Sequence, residues 1–248
     1  MSKKEGAVMS DKSIYPDGGR VNALYHTYCD IAMRAYYDAY LLHKKIKDRD
    51  YSGECSEDRR LLEEKILITI VFSAMSIEAF FNDYSAACLG DSEFYDNFDK
   101  MSVLSKFKLI AKFILKTDID KSKSYYSYLK SLFSQRDFYV HSKSKKSSFN
   151  GYTKEEIEEH ERLIQELGIG FEEQPLDRDE IKRHMRDGLN ALKAVKEIAY
   201  YFDRYDNNVF AFGKLFFPLE AFNMKSDDNK YKQYVLSELG IKEKDYRR

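Results

Sequence analysis

The sequence contains few of the residues that build tight turns, disulfide frameworks and metal sites. Its 248 residues include 11 glycines, three prolines and three cysteines, and no tryptophan. Scarce glycine and proline favour long regular elements with few tight turns. The cysteines Cys29, Cys55 and Cys88 form no close pair, and no cluster of cysteine and histidine has the spacing of a zinc site. We therefore expect no metal and no other cofactor.

Long apolar runs and an excess of one charge are also missing. The longest apolar stretch, residues 66–81, is interrupted by polar side chains and is shorter than the ~20 residues that a bilayer span needs. Residues 1–20 are polar and carry no recognisable signal peptide. The formal net charge is −1, so any nucleic-acid contact must come from a local patch. We expect a cytoplasmic protein that does not enter a membrane.

Helical periodicity is the main positive signal. Leu, Ile, Lys, Glu and Ala recur at helical spacing, which predicts an all-α protein folded as an up-and-down bundle. The four predicted core helices span residues 21–47, 57–89, 122–140 and 177–204. The second is apolar nearly all round and is therefore expected at the centre. Ser56 is its expected N-cap, and Gly90 is expected just beyond its end.

The same pattern divides the chain into three parts. We predict a flexible N-terminal lead (1–20), a helical domain (21–204) and an aromatic-rich C-terminal appendage (205–248). The helical domain has an insertion, residues 142–176, in which a loop precedes an acidic helix that begins near Thr153. Smaller helices are expected over residues 103–116, with Ser102 as cap, and over 230–239.

The segment Gln135–Ser142 carries the chemistry that the sequence suggests most strongly. Arg136, Asp137 and His141 lie within six residues, at the end of a predicted helix. Arginine is permanently charged and binds phosphate through a planar fork. Histidine exchanges a proton near neutral pH. Together they can cleave a phosphodiester without a metal.

This segment resembles the Arg-x4-6-His motif of ribonucleases of the HEPN superfamily. The upstream helix Ser73–Tyr84 is similar to an Ala-x-Glu-x-x-Asn-like helix of HEPN proteins from prokaryotic defence and toxin loci. The resemblance covers roughly residues 21–204. It implies a metal-independent endoribonuclease, an HEPN-like helical bundle, an RNA substrate and a homodimer in which two motifs face one cleft.

The spacing of Arg136 and His141 is compatible with that dimer. On a continuous helix the two side chains point ~140° apart, so one chain brings them together only if the helix ends near Val140. A site shared by two copies is the other solution. The motif also has a purely structural explanation. Arg136 would pair with a surface carboxylate, and His141 would be favoured at the negative end of the helix dipole.

The resemblance also implies roles for the individual side chains. His141 would act as general acid or base, Arg136 would stabilise charge on the phosphoryl oxygens, and Asp137 would orient one of them. Glu78 and Asn82, one turn apart on the central helix, would support Arg136, although a purely structural buried contact explains Glu78 as well. Tyr139 would stack on a base.

The loop after the motif is rich in lysine. Lys143, Lys145 and Lys146 are candidates for contacts with the phosphates of an RNA strand, although such runs are often only solvated loop. HEPN toxins paired with a nucleotidyltransferase antitoxin carry a tyrosine two residues after the histidine. Lys143 stands there, so regulation by adenylylation of that tyrosine is not supported.

Three classes of function remain open at this point. The first is an endoribonuclease used as a toxin or as an anti-phage, abortive-infection effector. The second is an HEPN-type RNA- or nucleotide-binding module without catalysis. The third is a helical regulatory subunit of a defence complex. Residues 205–248 are the candidate surface for an antitoxin or a defence-complex partner, above all for the third class. The fold alone does not choose among the three.

Overall fold

The computed structural model describes residues 24–52, 55–90, 96–141, 162, 176–206 and 230–242. Their helices are α1 (Tyr25–Asp48), α2 (Ser56–Leu89), α3 (Val103–Leu109), α4 (Ser124–Val140), α5 (Arg178–Tyr205) and α6 (Lys230–Glu238). A short π-helix, Ile110–Ile114, continues α3. These ranges contain no strand, so the all-α prediction is confirmed for the part of the chain described.

The central helix is α2, as its apolar sequence predicts. It packs most extensively against α1 and α5, and also contacts α3 and α4. Its N-terminal end differs from the prediction, because Cys55 is the N-cap residue and Ser56 is already helical. Its C-terminal end lies where expected, at Gly90, which adopts a φ of 88°. That positive φ suits glycine because it has no Cβ.

The helix directions follow from contacts near their ends. Tyr25 and Lys45 of α1 contact Ser76 and Asp58 of α2 respectively, so these helices are antiparallel. Contacts at both ends, Arg59–Glu180 and Tyr84–Asp206, show that α2 and α5 run parallel. Gly188 allows both α1 and α2 to approach α5 closely, because a Cβ there would lie 2.7 Å from Ile66 Cδ1 of α2 and 3.1 Å from Tyr36 Cδ2 of α1.

Side-chain caps explain two of the helix starts. Asp177 accepts hydrogen bonds from the backbone of Asp179 and Glu180 and so caps the last long helix at the start predicted for it, residue 177. Ser102 caps α3 by accepting from the Ser105 backbone, as predicted. The α-helix that Ser102 begins stops at Leu109, however, and the π-helix takes over. The predicted helix near 230–239 is confirmed as α6.

Several predictions fall outside the described residues. They concern the N-terminal lead, most of the insertion 142–176 with its acidic helix, and the aromatic segment before α6.

By length and composition alone, α2 is long and apolar enough to cross a membrane. An 18-residue window in it has a mean hydropathy of 1.5, and half of that window is buried inside the bundle. The core helix of a soluble protein satisfies the same criteria, so this is a weak indication of a membrane.

Candidate functional site

Arg136 occupies a core-facing position of α4. The buried residues of this helix, Leu129, Leu132 and Phe133, are spaced so that Arg136 continues the same face towards the C-terminal end. Its side chain is 23% exposed, and its guanidinium carbon lies 5.2 Å from the centre of the Phe133 ring. The bundle therefore holds Arg136 in place through packing, with one edge left open to solvent.

Two carboxylates flank this guanidinium. Arg136 Nη2 lies 3.7 Å from Glu78 Oε2 on α2, and Arg136 Nε lies 3.1 Å from Asp137 Oδ1. The buried Nε nevertheless makes no hydrogen bond of acceptable geometry. Glu78 thus does contact Arg136, as the resemblance implies, and the 23% exposure of the Arg136 side chain leaves part of the guanidinium accessible to an anionic ligand.

His141 lies at the end of the same helix but apart from this contact. It is the C-cap residue of α4, and its backbone N–H donates to the Asp137 carbonyl at 2.9 Å. Its side chain is exposed and makes no hydrogen bond or ion pair with any described residue, Arg136 included. The helix does end at Val140, yet the described part of one chain shows no Arg136–His141 contact.

An exposed apolar group lies between the two motif residues. Phe138 is 69% exposed, Val140 52% and Tyr139 39%, and the Phe138 and Tyr139 rings meet edge to face at 5.4 Å. Partial burial raises the pKa of Tyr139, with smaller contributions from Asp187 and Glu63. Three consecutive large side chains at the surface beside a charged motif form a candidate contact surface.

Asn82 connects the site to α3, a link that the sequence analysis did not foresee. Its Oδ1 accepts a hydrogen bond from Lys106 Nζ at 2.8 Å. Lys106 is only 3% exposed, and its burial lowers the pKa of the ammonium group, whereas Glu78 and Asp99 act to raise it. The missed signal lies in α3, where Lys106 occupies a position of the apolar face formed by Val103 and Phe107.

The remaining sequence candidates either lie elsewhere or are not described. Lys143, Lys145 and Lys146 fall outside the described residues. Within those residues, no group of three or more His, Cys, Asp or Glu side chains is arranged to hold a metal ion. A cavity of about 300 Å³ lies beside α3 and the π-helix, with Leu89, Phe113 and the Lys106 stem in its walls.

The site therefore combines a packed arginine, a carboxylate and a buried lysine on facing helices, with an exposed histidine at the end of one of them. Comparisons of the chain with protein-family models, with curated protein sequences and with solved structures give no match.

Proposed function

We propose that this protein is a metal-independent endoribonuclease of the HEPN type, acting as a toxin or anti-phage effector. One observation carries the proposal. Arg136 is fixed by the core and by Glu78 yet stays 23% exposed, and the exposed His141 ends the same helix. A fixed cation and a proton-exchanging side chain at one helix end suit phosphodiester cleavage.

In the proposed reaction the RNA supplies its own nucleophile. His141 takes the proton from a 2′-hydroxyl as the 2′-oxygen attacks the adjacent phosphorus. The bond from phosphorus to the 5′-oxygen breaks, and a second imidazolium gives that oxygen its proton. Arg136 stabilises the charge on the non-bridging oxygens. The products are a 2′,3′-cyclic phosphate and a 5′-hydroxyl.

A second copy of the chain supplies the second histidine. Phe138 and Val140 are exposed beside the motif, so an isologous contact through this surface brings two copies of His141 and Arg136 to one cleft. Phe138→Asp should therefore give a monomer in light scattering and abolish cleavage while leaving the helical CD spectrum unchanged. A monomeric wild type near 29 kDa that cleaves RNA would contradict the shared site.

The decisive test is RNA cleavage in EDTA. Wild-type protein should cut total RNA or tRNA and leave the cyclic phosphate, whereas DNA and 2′-O-methyl RNA should resist. His141→Ala and Arg136→Ala should each lose about 10²-fold or more. His26→Ala is the matched control, because His26 is also exposed but lies on α1. Cleavage abolished by EDTA, or unchanged in His141→Ala, would reject the mechanism.

A non-catalytic RNA-binding module is the second candidate. The observation in its favour is that Arg136 contacts Glu78 and Asp137, and that no described residue joins it to His141. Such a module would bind RNA without cutting it, and His141→Ala would change its affinity little.

A further inference from the structure

Lys106 is a buried charge in contact with the face of α2 that holds Arg136. It is 3% exposed and lies on the core-facing side of α3. Its Nζ donates to Asn82 Oδ1 at 2.8 Å. A lysine is rarely buried to this extent without partners that offset the cost of removing its charge from water.

Glu78 lies one helical turn before Asn82 on that face. Residues four apart on a helix are surface neighbours, with Cβ atoms about 5–6 Å apart. The Lys106 ammonium group, bonded to Asn82, is near enough to Glu78 for this carboxylate to raise its pKa, as Asp99 also does. The Glu78 carboxylate also lies 3.7 Å from Arg136 Nη2. Glu78 thus stands between two cations, one buried on α3 and one partly open on α4.

The balance of charge shows what Lys106 contributes. Arg136 has two carboxylate neighbours, Glu78 and Asp137, so these three groups alone carry a net charge of −1. An RNA phosphate approaching them would meet a net negative cluster. Lys106, which is near both Glu78 and Asp99, adds one positive charge, so the surroundings of the guanidinium are less negative with Lys106 than without it.

We infer that Lys106 is a positioning residue for the proposed ribonuclease, acting through Glu78 to keep the Arg136 charge available to the RNA phosphate. This inference rests on the proposed function and extends it to a residue outside the motif. It predicts that removing the Lys106 charge weakens RNA binding and leaves the chemical step nearly unchanged. A merely structural lysine would instead lower the folded fraction.

The experiment compares four variants in EDTA: Lys106→Met, Glu78→Gln, the double variant Lys106→Met/Glu78→Gln, and Lys108→Met as control. Lys108 is an exposed lysine two residues further along α3. Binding is measured by fluorescence anisotropy with a single-stranded 2′-O-methyl RNA, which the proposed reaction cannot cleave. KM and kcat are measured with unmodified RNA at a temperature where CD shows each variant to be folded.

Lys106→Met should weaken binding and raise KM about five- to tenfold, with kcat within about twofold of wild type. Binding should return to within about twofold of wild type in the double variant, because the excess negative charge is then gone. Lys108→Met should change binding less than twofold. If Lys106→Met does not fold, Lys106→Gln takes its place, because it removes the charge but keeps a donor for Asn82, and the same rise in KM is expected. Glu78→Gln should lower KM severalfold.

The remaining outcomes separate this inference from the proposed function. A loss of binding in Lys106→Met that persists in the double variant would overturn the inference alone, as would a KM unchanged by Lys106→Met or by Glu78→Gln. Charge-dependent binding without cleavage by wild type would support the inference and reject the catalysis. A wild type that neither binds nor cleaves RNA would overturn both.

Discussion

Two polar contacts made by α2, one with the end of α5 and one with α4, differ in how far they are enclosed. Tyr84 of α2 donates to Asp206 Oδ2 at 2.5 Å, and the two residues are only 2% and 8% exposed. Glu78, six residues earlier on α2, lies 3.7 Å from Arg136, and these side chains are 34% and 23% exposed. We call the first the closed contact and the second the open contact.

The difference comes from the neighbours of each contact. Tyr84 packs against Phe80 and Phe202, whose ring centres lie 6.0 and 5.0 Å from its own. This burial is the main reason that the pKa of Tyr84 is raised, and the bond to Asp206 adds to it. In the open contact both side chains are partly exposed to solvent. A closed contact stabilises one structure, whereas an open one leaves its charged groups accessible to a ligand.

The largest expected effect is the loss of an aromatic side chain beside the closed contact. Phe202 is 0% exposed and packs against Phe80, Phe81 and Tyr84. Phe202→Ala should lower the free energy of unfolding by about 3–5 kcal/mol, because it removes apolar contacts and leaves a cavity. Urea unfolding measures this. Phe113→Ala, at a site 62% exposed, should cost under about 1 kcal/mol.

Breaking the closed contact itself should cost less. Tyr84→Phe removes the hydroxyl that donates to Asp206, so the free energy of unfolding should fall by about 1–3 kcal/mol. RNA cleavage per folded molecule should stay unchanged, because Tyr84 is not part of the proposed site. Tyr205→Phe, at a residue 43% exposed, is the control and should be nearly neutral. A drop in kcat for Tyr84→Phe would mean that the two contacts are coupled.

Breaking the open contact should affect activity more than stability. Glu78→Gln should change the free energy of unfolding by less than about 1 kcal/mol, since the pair is partly exposed. Arg136 would lose its charged anchor, so kcat should fall on the order of tenfold while KM falls as well. Urea unfolding and steady-state cleavage check both. A stability loss larger than that of Tyr84→Phe would mean that the open contact serves mainly to stabilise the fold.

The smallest effect concerns His43, at the edge of the bundle away from both contacts. Burial lowers its pKa below 6.5, and Lys47 and Lys182 lower it further. The unfolded chain therefore binds more protons near pH 6, so this contribution to stability is present above pH 6.5 and is lost as the pH falls. Between pH 7 and 5 the Tm of wild type should fall more than that of His43→Gln, by on the order of 1–2 °C. Parallel curves would contradict this.

Most of the helices could be predicted from the sequence because helix starts, ends and apolar faces depend on residues close together along the chain. The all-round apolar character of α2, the Asp177 cap and the end at Gly90 each depend on residues a few positions apart. The Ser56 cap was wrong because a serine before an apolar run can equally be the first helical residue. The π-helix after Leu109 was not foreseen, because apolar spacing scarcely distinguishes it from an α-helix.

The candidate site was predictable only in part, for a tertiary reason. The sequence indicated Arg136 and His141, but only packing shows that Arg136 faces Glu78 and that His141 does not join them. Lys106 was missed because a lysine in a helix is usually taken as solvent-exposed. Lys106 and Arg136 have one sequence feature in common, because each is a cation that interrupts the apolar face of its helix. That feature could have pointed to both residues.

The docking of α6 has a consequence for hydrogen exchange. This helix is nine residues long, too short to persist alone in water. It is held by α1, where Tyr234 stacks on Tyr40 with ring centres 4.1 Å apart and Tyr231 donates to Asp30. Its backbone amides should therefore be protected only while it is docked. Their exchange rates report the free energy of undocking, and a Tyr40→Ala variant should accelerate exchange in α6 while leaving the amides of α2 protected.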